Sequence, residues 1–190
     1  MRNTHKQLLK LTYAALCFAL CMVLPLLTAG DTMLGNYLCL MHLPVLLCGM
    51  LCGGGWGLVV GFSAPLIRSL LFGRPPIIPV GVGMMAELAI YGLCCGLLFR
   101  ALTARMVLPG RHTGALTARI YLSLLPAMLL GRLAGGATKI ALVAAGRIPT
   151  YTWHAFFAAY FVQTVPGVLL QLVLIPLITV ALCRARLLPR

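Results

Sequence analysis

The stretch IPVGVGMMAELAIYGLCCGLLFRAL, Ile78 to Leu102, holds one acid, Glu87, and one base near its end, Arg100, in a run that is otherwise almost wholly apolar. A helix of that length crosses a hydrocarbon layer about 30 Å thick, so the stretch reads as a membrane span. The rest of the chain has the same character. Its 190 residues are 62% hydrophobic and 9% charged, with a mean hydropathy of +1.03, whereas soluble domains carry roughly a quarter charged residues. At about 20 residues per span the length allows roughly six helices with short connections. The expected fold is therefore all-α: a compact bundle of six transmembrane helices forming one domain over residues 1–190.

Upstream of that stretch, a third span, about Trp56 to Phe72, contains Pro65 and Arg68 and is closed by Gly73, Arg74, Pro75 and Pro76. The second, about Leu38 to Cys52, contains Pro44 and ends in Gly53, Gly54 and Gly55, a run that permits a tight reversal. The first, about Leu11 to Thr28, follows the basic segment Met1 to Lys10. No small-residue cleavage site is clear and further spans follow, so it is read as a retained helix and not as a signal peptide. Asp31 to Tyr37 is a polar loop. Downstream, a connection with Arg100, Arg105, Arg111 and Arg119 leads to a fifth span, about Ile120 to Ala145. The loop Gly146 to Thr152 precedes a sixth, about Trp153 to Cys183. This last run exceeds the bilayer thickness, so Pro166 and Pro176 should kink it, or its first part should lie over a pocket. Small residues four apart (Gly49/Gly53, Gly57/Gly61, Gly92/Gly96, Gly131/Gly135) predict close backbone packing.

The charge of +13 would suit nucleic acid on a soluble domain. Here the basic residues cluster at span ends. One side has Arg2, Lys6, Lys10, the four arginines of the fourth connection, Arg184, Arg186 and Arg190; the other has Arg74 and Arg147. The positive-inside bias makes the first side cytoplasmic, with both termini there, in a cell membrane, with no nucleic-acid partner. The eight cysteines lie in or beside apolar spans and read as small hydrophobes, with no metal-ligand set completed around Cys48 and Cys52. With two acids in the chain, and no zinc, nucleophile-elbow or phosphate-loop motif, an enzyme is not expected, nor is any cofactor.

The polar residues within spans gather at one depth. His42, Arg68, Glu87, Arg132, Lys139, His154 and Gln163 all fall toward the outer half, and such groups persist in a membrane where they face protein or a watery cavity. Arg132 and Lys139 share a helix face two turns apart, with Gly135 and Gly136 leaving room beside it. One acid, Glu87, cannot neutralise Arg68, Arg132 and Lys139 together, so positive charge remains for an anionic ligand. The structural alternative pairs Arg68 with Glu87 and lets Lys139 snorkel to the interface. His154, Phe157 and Phe161 form one stripe, with Tyr160 and Gln163 adjacent, able to cover a partly apolar solute and to offer it a hydrogen bond from Gln163; Trp153 and Tyr151 read as an interfacial aromatic belt, which Phe157 and Phe161 could equally join. Ala15 and Ala19, with Ala14 beside them, form a small-residue face for internal packing or for another membrane subunit.

The run from Met41 through Gly61-Phe62-Ser63-Ala64-Pro65 and Arg68-Ser69-Leu70-Leu71-Phe72-Gly73-Arg74-Pro75-Pro76 to Ala86-Glu87-Leu88-Ala89-Ile90-Tyr91-Gly92 resembles the substrate-binding S component of energy-coupling factor (ECF) vitamin transporters. So does Phe161 to Pro176, with Val165-Pro166-Gly167 and Leu170-Gln171-Leu172. The resemblance implies capture of a small water-soluble vitamin at the outer face, with pantothenate the first choice and folate, niacin or a queuosine precursor open. It also implies delivery inward with a transmembrane coupling subunit, contacted by Ala15 and Ala19, and two cytoplasmic ATPases. A stand-alone proton-coupled carrier using Glu87, or a membrane scaffold, are the other classes.

Overall fold

The computed structural model describes residues 2–28, 35, 37–104, 113–147, 154 and 157–185. They are helical: α1 (Arg2–Val23), continued by a 3-10 turn (Leu24–Thr28); α2 (His42–Cys52); α3 (Gly54–Phe72); α4 (Val82–Ala104), entered through a wide turn at Ile77–Gly81; α5 (Thr113–Ala144); and α6 (Val165–Arg184), preceded by a wide turn at Ala158–Val162. Five of these helices, with their lead-in turns, are long and apolar enough to cross a membrane, and α2 is the shorter sixth. Asp31, Arg105, Arg111, Tyr151, Trp153, Arg186 and Arg190 and the side chain of Tyr160 lie outside the described residues.

Contacts between helices fix their directions. Cys52 Sγ meets the Lys10 carbonyl and Cys21 Sγ meets the Met41 carbonyl, so α1 and α2 run antiparallel. A Cβ on Gly61 would strike Leu88, and one on Gly96 would strike Gly54, so α3 and α4 also run antiparallel. Gly131 packs on Tyr91 and the Glu87 carbonyl, Tyr121 Oη donates to the Leu172 carbonyl, and Arg132 reaches Thr164, which turns α5 against α4 and α6 against α5. The described helices pass up and down in strict alternation, so the start of α1 and the end of α6 lie at the same end.

The bundle is built around α2, every residue of which is buried. A helix apolar on all sides belongs in an interior, and eleven residues extend only about 16 Å, half the hydrocarbon thickness. Protein, not lipid, surrounds it. Gly53, at φ 101°, lets the chain reverse directly into α3. The small-residue stripes do what their spacing predicts: a Cβ on Gly92 would fall on the backbone of Gly57, and one on Gly49 would fall on the Gly92 carbonyl. Such contact maximises dispersion where lipid supplies no hydrophobic drive. Six of the cysteines, Cys17, Cys21, Cys39, Cys48, Cys52 and Cys95, are buried.

Some boundaries move. The second helix begins at His42 after a turn through Leu40, and the fifth begins at Thr113, so Arg119 lies in its second turn and not in the connection. The sixth run breaks at Gln163 and Thr164. Pro166 sits in the first turn of α6, where its missing N–H loses no helical bond, and Pro176 lies within a helix that continues past it. The prolines therefore do not divide the run; the break precedes both.

Candidate functional site

Four helices deliver polar side chains to one layer, displaced from the bundle's middle toward the end opposite the termini. Glu87 of α4, 5% exposed, stands one turn before Tyr91, and the two meet because residues four apart share a face. Tyr91 Oη donates to Glu87 Oε1 at 3.0 Å and accepts from Arg132 Nε of α5 at 3.1 Å. His42, at the start of α2, places Nε2 at 3.6 Å from the same carboxylate oxygen and its ring 5.4 Å from that of Tyr91. Arg132 Nη2 donates to Thr164 Oγ1 at 2.8 Å, and its guanidinium lies 5.4 Å from the Phe161 ring. Phe161 stacks on the half-exposed Phe157 at 5.1 Å.

A single phenol hydroxyl thus relays between the buried acid and the buried base. Both charges are compensated without touching, which leaves each with unused hydrogen-bonding capacity: a carboxylate accepts at several lone pairs and a guanidinium donates five protons. Lys139, two turns beyond Arg132 on the same face of α5, is half-buried and within electrostatic reach of Glu87. The layer therefore contains one acid and two cations. Deeper along α6, Gln171 Nε2 donates to the Cys39 carbonyl at 3.2 Å. Two buried polar atoms next to this layer, His42 Nδ1 and Gln171 Oε1, have no hydrogen-bond partner among the described residues.

A family model for the substrate-specific component of ECF transporters matches residues 9–187, nearly the whole chain. The chain belongs to that family. Comparison with curated proteins and with solved structures gave no match. As an S component it is a membrane-embedded transporter part and not an enzyme, and proteins of this kind bind a small-molecule substrate and work with an ECF module.

Of the residues expected at the S component's site, the structure joins His42, Glu87, Arg132 and Phe161 directly, with Lys139 and Phe157 beside them. Arg68 is not joined to them. Its Nη1 donates to the Met22 carbonyl at 2.9 Å and its guanidinium lies 5.3 Å from the Phe72 ring, so it ties α3 to the end of α1 and does not pair with Glu87. Gln163 is exposed, its backbone N–H donating to the Ala158 carbonyl at 2.9 Å; Thr164, one residue on, is the residue that reaches Arg132. His154 is exposed. Tyr91, Thr164 and Gln171 went unread as site residues. For Tyr91 the available signal was its spacing of four from Glu87, and for Gln171 its isolation as a polar residue within an apolar helix.

On α1, Ala15 and Ala19 are exposed together with Leu8, Leu11 and Leu16, whereas Ala14, Cys17 and Cys21 face the core. Ala14 is thus turned into the core, away from the exposed alanine pair, and does not extend their face as the sequence suggested.

Proposed function

We propose that this S component captures a small, anionic, water-soluble micronutrient from outside the cell and passes it inward when docked on a coupling subunit powered by two ATPases. The Arg132 guanidinium carries the reading: it commits Nε to Tyr91 and one Nη2 proton to Thr164 and keeps its other donors. A carboxylate can take those remaining donors, and in a low-dielectric interior such charge-assisted bonds are strong. Phe157 and Phe161 supply an apolar wall next to the guanidinium. Pantothenate, with a carboxylate, an amide and two hydroxyls on a short chain, is the first compound to test.

The orientation of this proposal follows from charge. Lys6, Lys10, Arg100 and Arg184 lie toward the end with both termini, and Arg74 and Arg147 toward the other, so the positive-inside bias puts the polar layer nearer the extracellular face. The exposed small-residue pair Ala15 and Ala19 offers the coupling subunit a close-packing surface on a helix whose other side is anchored in the core. A stand-alone proton-coupled carrier would also use Glu87, but membership of a family that works with an ECF module favours the docked arrangement.

The test is thermal stabilisation of the purified protein by a panel of vitamins, since a ligand that binds the folded state raises stability by mass action. Anionic compounds should stabilise it and Arg132→Lys, which keeps the charge but loses the fork to Tyr91 and Thr164, should weaken that effect about tenfold or more. Stabilisation only by neutral or cationic compounds would refute the anion reading. Purification without any coupling subunit, together with transport by the protein alone, would favour the carrier.

A further inference from the structure

The polar layer is ordered along the bundle axis. Lys139 lies about 10 Å beyond Arg132 along α5, toward the end opposite the termini. Thr164 marks the level of Arg132 on α6, and Gln171 lies about 10 Å further along that helix toward the termini. Cations therefore occupy the outer part of the sequence Lys139, Arg132/Thr164, Gln171, and the inner part has a different chemistry.

Two orphaned acceptors stand beside this series, Gln171 Oε1 at its inner end and His42 Nδ1 at the level of Glu87. Gln171 is 1% exposed; its amide nitrogen is committed to a carbonyl, Cys39 O, so the atom left over is the oxygen, which can only accept. His42 is 8% exposed; its Nε2 faces the Glu87 carboxylate at 3.6 Å, so the neutral ring carries its proton there and Nδ1 is an acceptor. Both side chains flank one turn of backbone, because Cys39 O also accepts from the His42 backbone N–H at 3.0 Å. The Glu87 carboxylate between this turn and Arg132 accepts as well. Buried acceptors without donors are costly, and a set of them beside a binding layer selects a ligand that brings the donors.

Resting on the anion reading above, we infer that the captured molecule is an anion that also carries a hydroxyl or N–H donor remote from its charge, bound with the charge at Arg132 and the donor at His42 Nδ1 and Gln171 Oε1. This makes His42 and Gln171 specificity-determining residues. It excludes bare carboxylates as good substrates, however well their charge is matched.

Two matched pairs of ligands test this on the full chain in lipid nanodiscs: pantothenate against its analogue with both hydroxyls replaced by hydrogen and the amide nitrogen methylated, which leaves no donor, and 6-hydroxynicotinate against nicotinate. In at least one pair the donor-bearing member should bind about tenfold more tightly, the loss expected when buried polar groups are left unpaired. In His42→Phe, and independently in Gln171→Leu, that ratio should fall toward unity; the melting temperature without ligand identifies a variant that has failed to fold, and the other variant then decides. A ratio that persists in a folded variant overturns the inference and leaves the anion reading intact. Equal binding within both pairs in the unmodified protein does the same. If none of the four carboxylates binds, the anion reading fails and the inference falls with it.

Discussion

Replacing Tyr91 with Phe removes one oxygen atom from the most enclosed position in the polar layer. Tyr91 is 1% exposed and its hydroxyl makes two hydrogen bonds, donating to Glu87 at 3.0 Å and accepting from Arg132 at 3.1 Å. Each has a charged partner, and bonds of that kind are worth about 1.5–3 kcal/mol. Phenylalanine keeps the ring against His42 and Gly131, so packing changes little. Arg132 retains Thr164 and the Phe161 ring, and Glu87 retains His42, which places the expected loss at about 3 kcal/mol, the lower part of the two-bond sum. The assay is reversible unfolding in bilayer-like bicelles, comparing Tyr91→Phe, Arg132→Met and the double variant. If the hydroxyl relays between acid and base, the double variant should be less damaged than the sum of the single ones, by about 1 kcal/mol or more. A loss below about 0.5 kcal/mol for Tyr91→Phe, or strict additivity, would refute the relay.

Gly92→Ala should destabilise the fold by about 1–3 kcal/mol or prevent its accumulation, because the added carbon falls on the Gly57 backbone; Gly55→Ala, with open space around its site, should be close to neutral in the same melting assay. Arg68→Met should leave ligand affinity within about twofold, since Arg68 binds the Met22 carbonyl and not the Glu87 group; a tenfold loss would return it to the site. Ala15→Leu with Ala19→Leu should preserve ligand binding and abolish uptake in cells, because both side chains are exposed on α1; normal uptake would exclude that face from docking.

The helical class and most span limits were legible because a bilayer constrains composition and length severely. Glu87, Arg132 and His42 stood out by the same rule, as groups costly in hydrocarbon. The partner of each was not legible. Arg68 and Glu87 have opposite charges at similar depth, and nothing in one chain of letters says that Arg68 turns to the Met22 carbonyl while a tyrosine serves Glu87. Tyr91 was hidden by its own ambiguity, since a tyrosine in an apolar run serves equally as core, belt or hydrogen-bonding residue. Gln163 was read as facing the pocket, whereas Thr164, one position and about 100° of helix rotation away, reaches Arg132; the break before α6 decides this, and periodicity does not foresee it.

The enclosure of α2 separates two kinds of environment within one small protein. Its side chains, His42 among them, touch only other parts of the same chain, while α1 and the outward sides of α3, α5 and α6 present Leu16, Val59, Leu129 and Leu169 to the surroundings. Changing acyl-chain length or lipid order acts on that outer ring first, altering tilt and contacts with neighbouring proteins. The axis carrying His42 is shielded from such changes, so recognition of cargo can stay constant in membranes whose thickness varies.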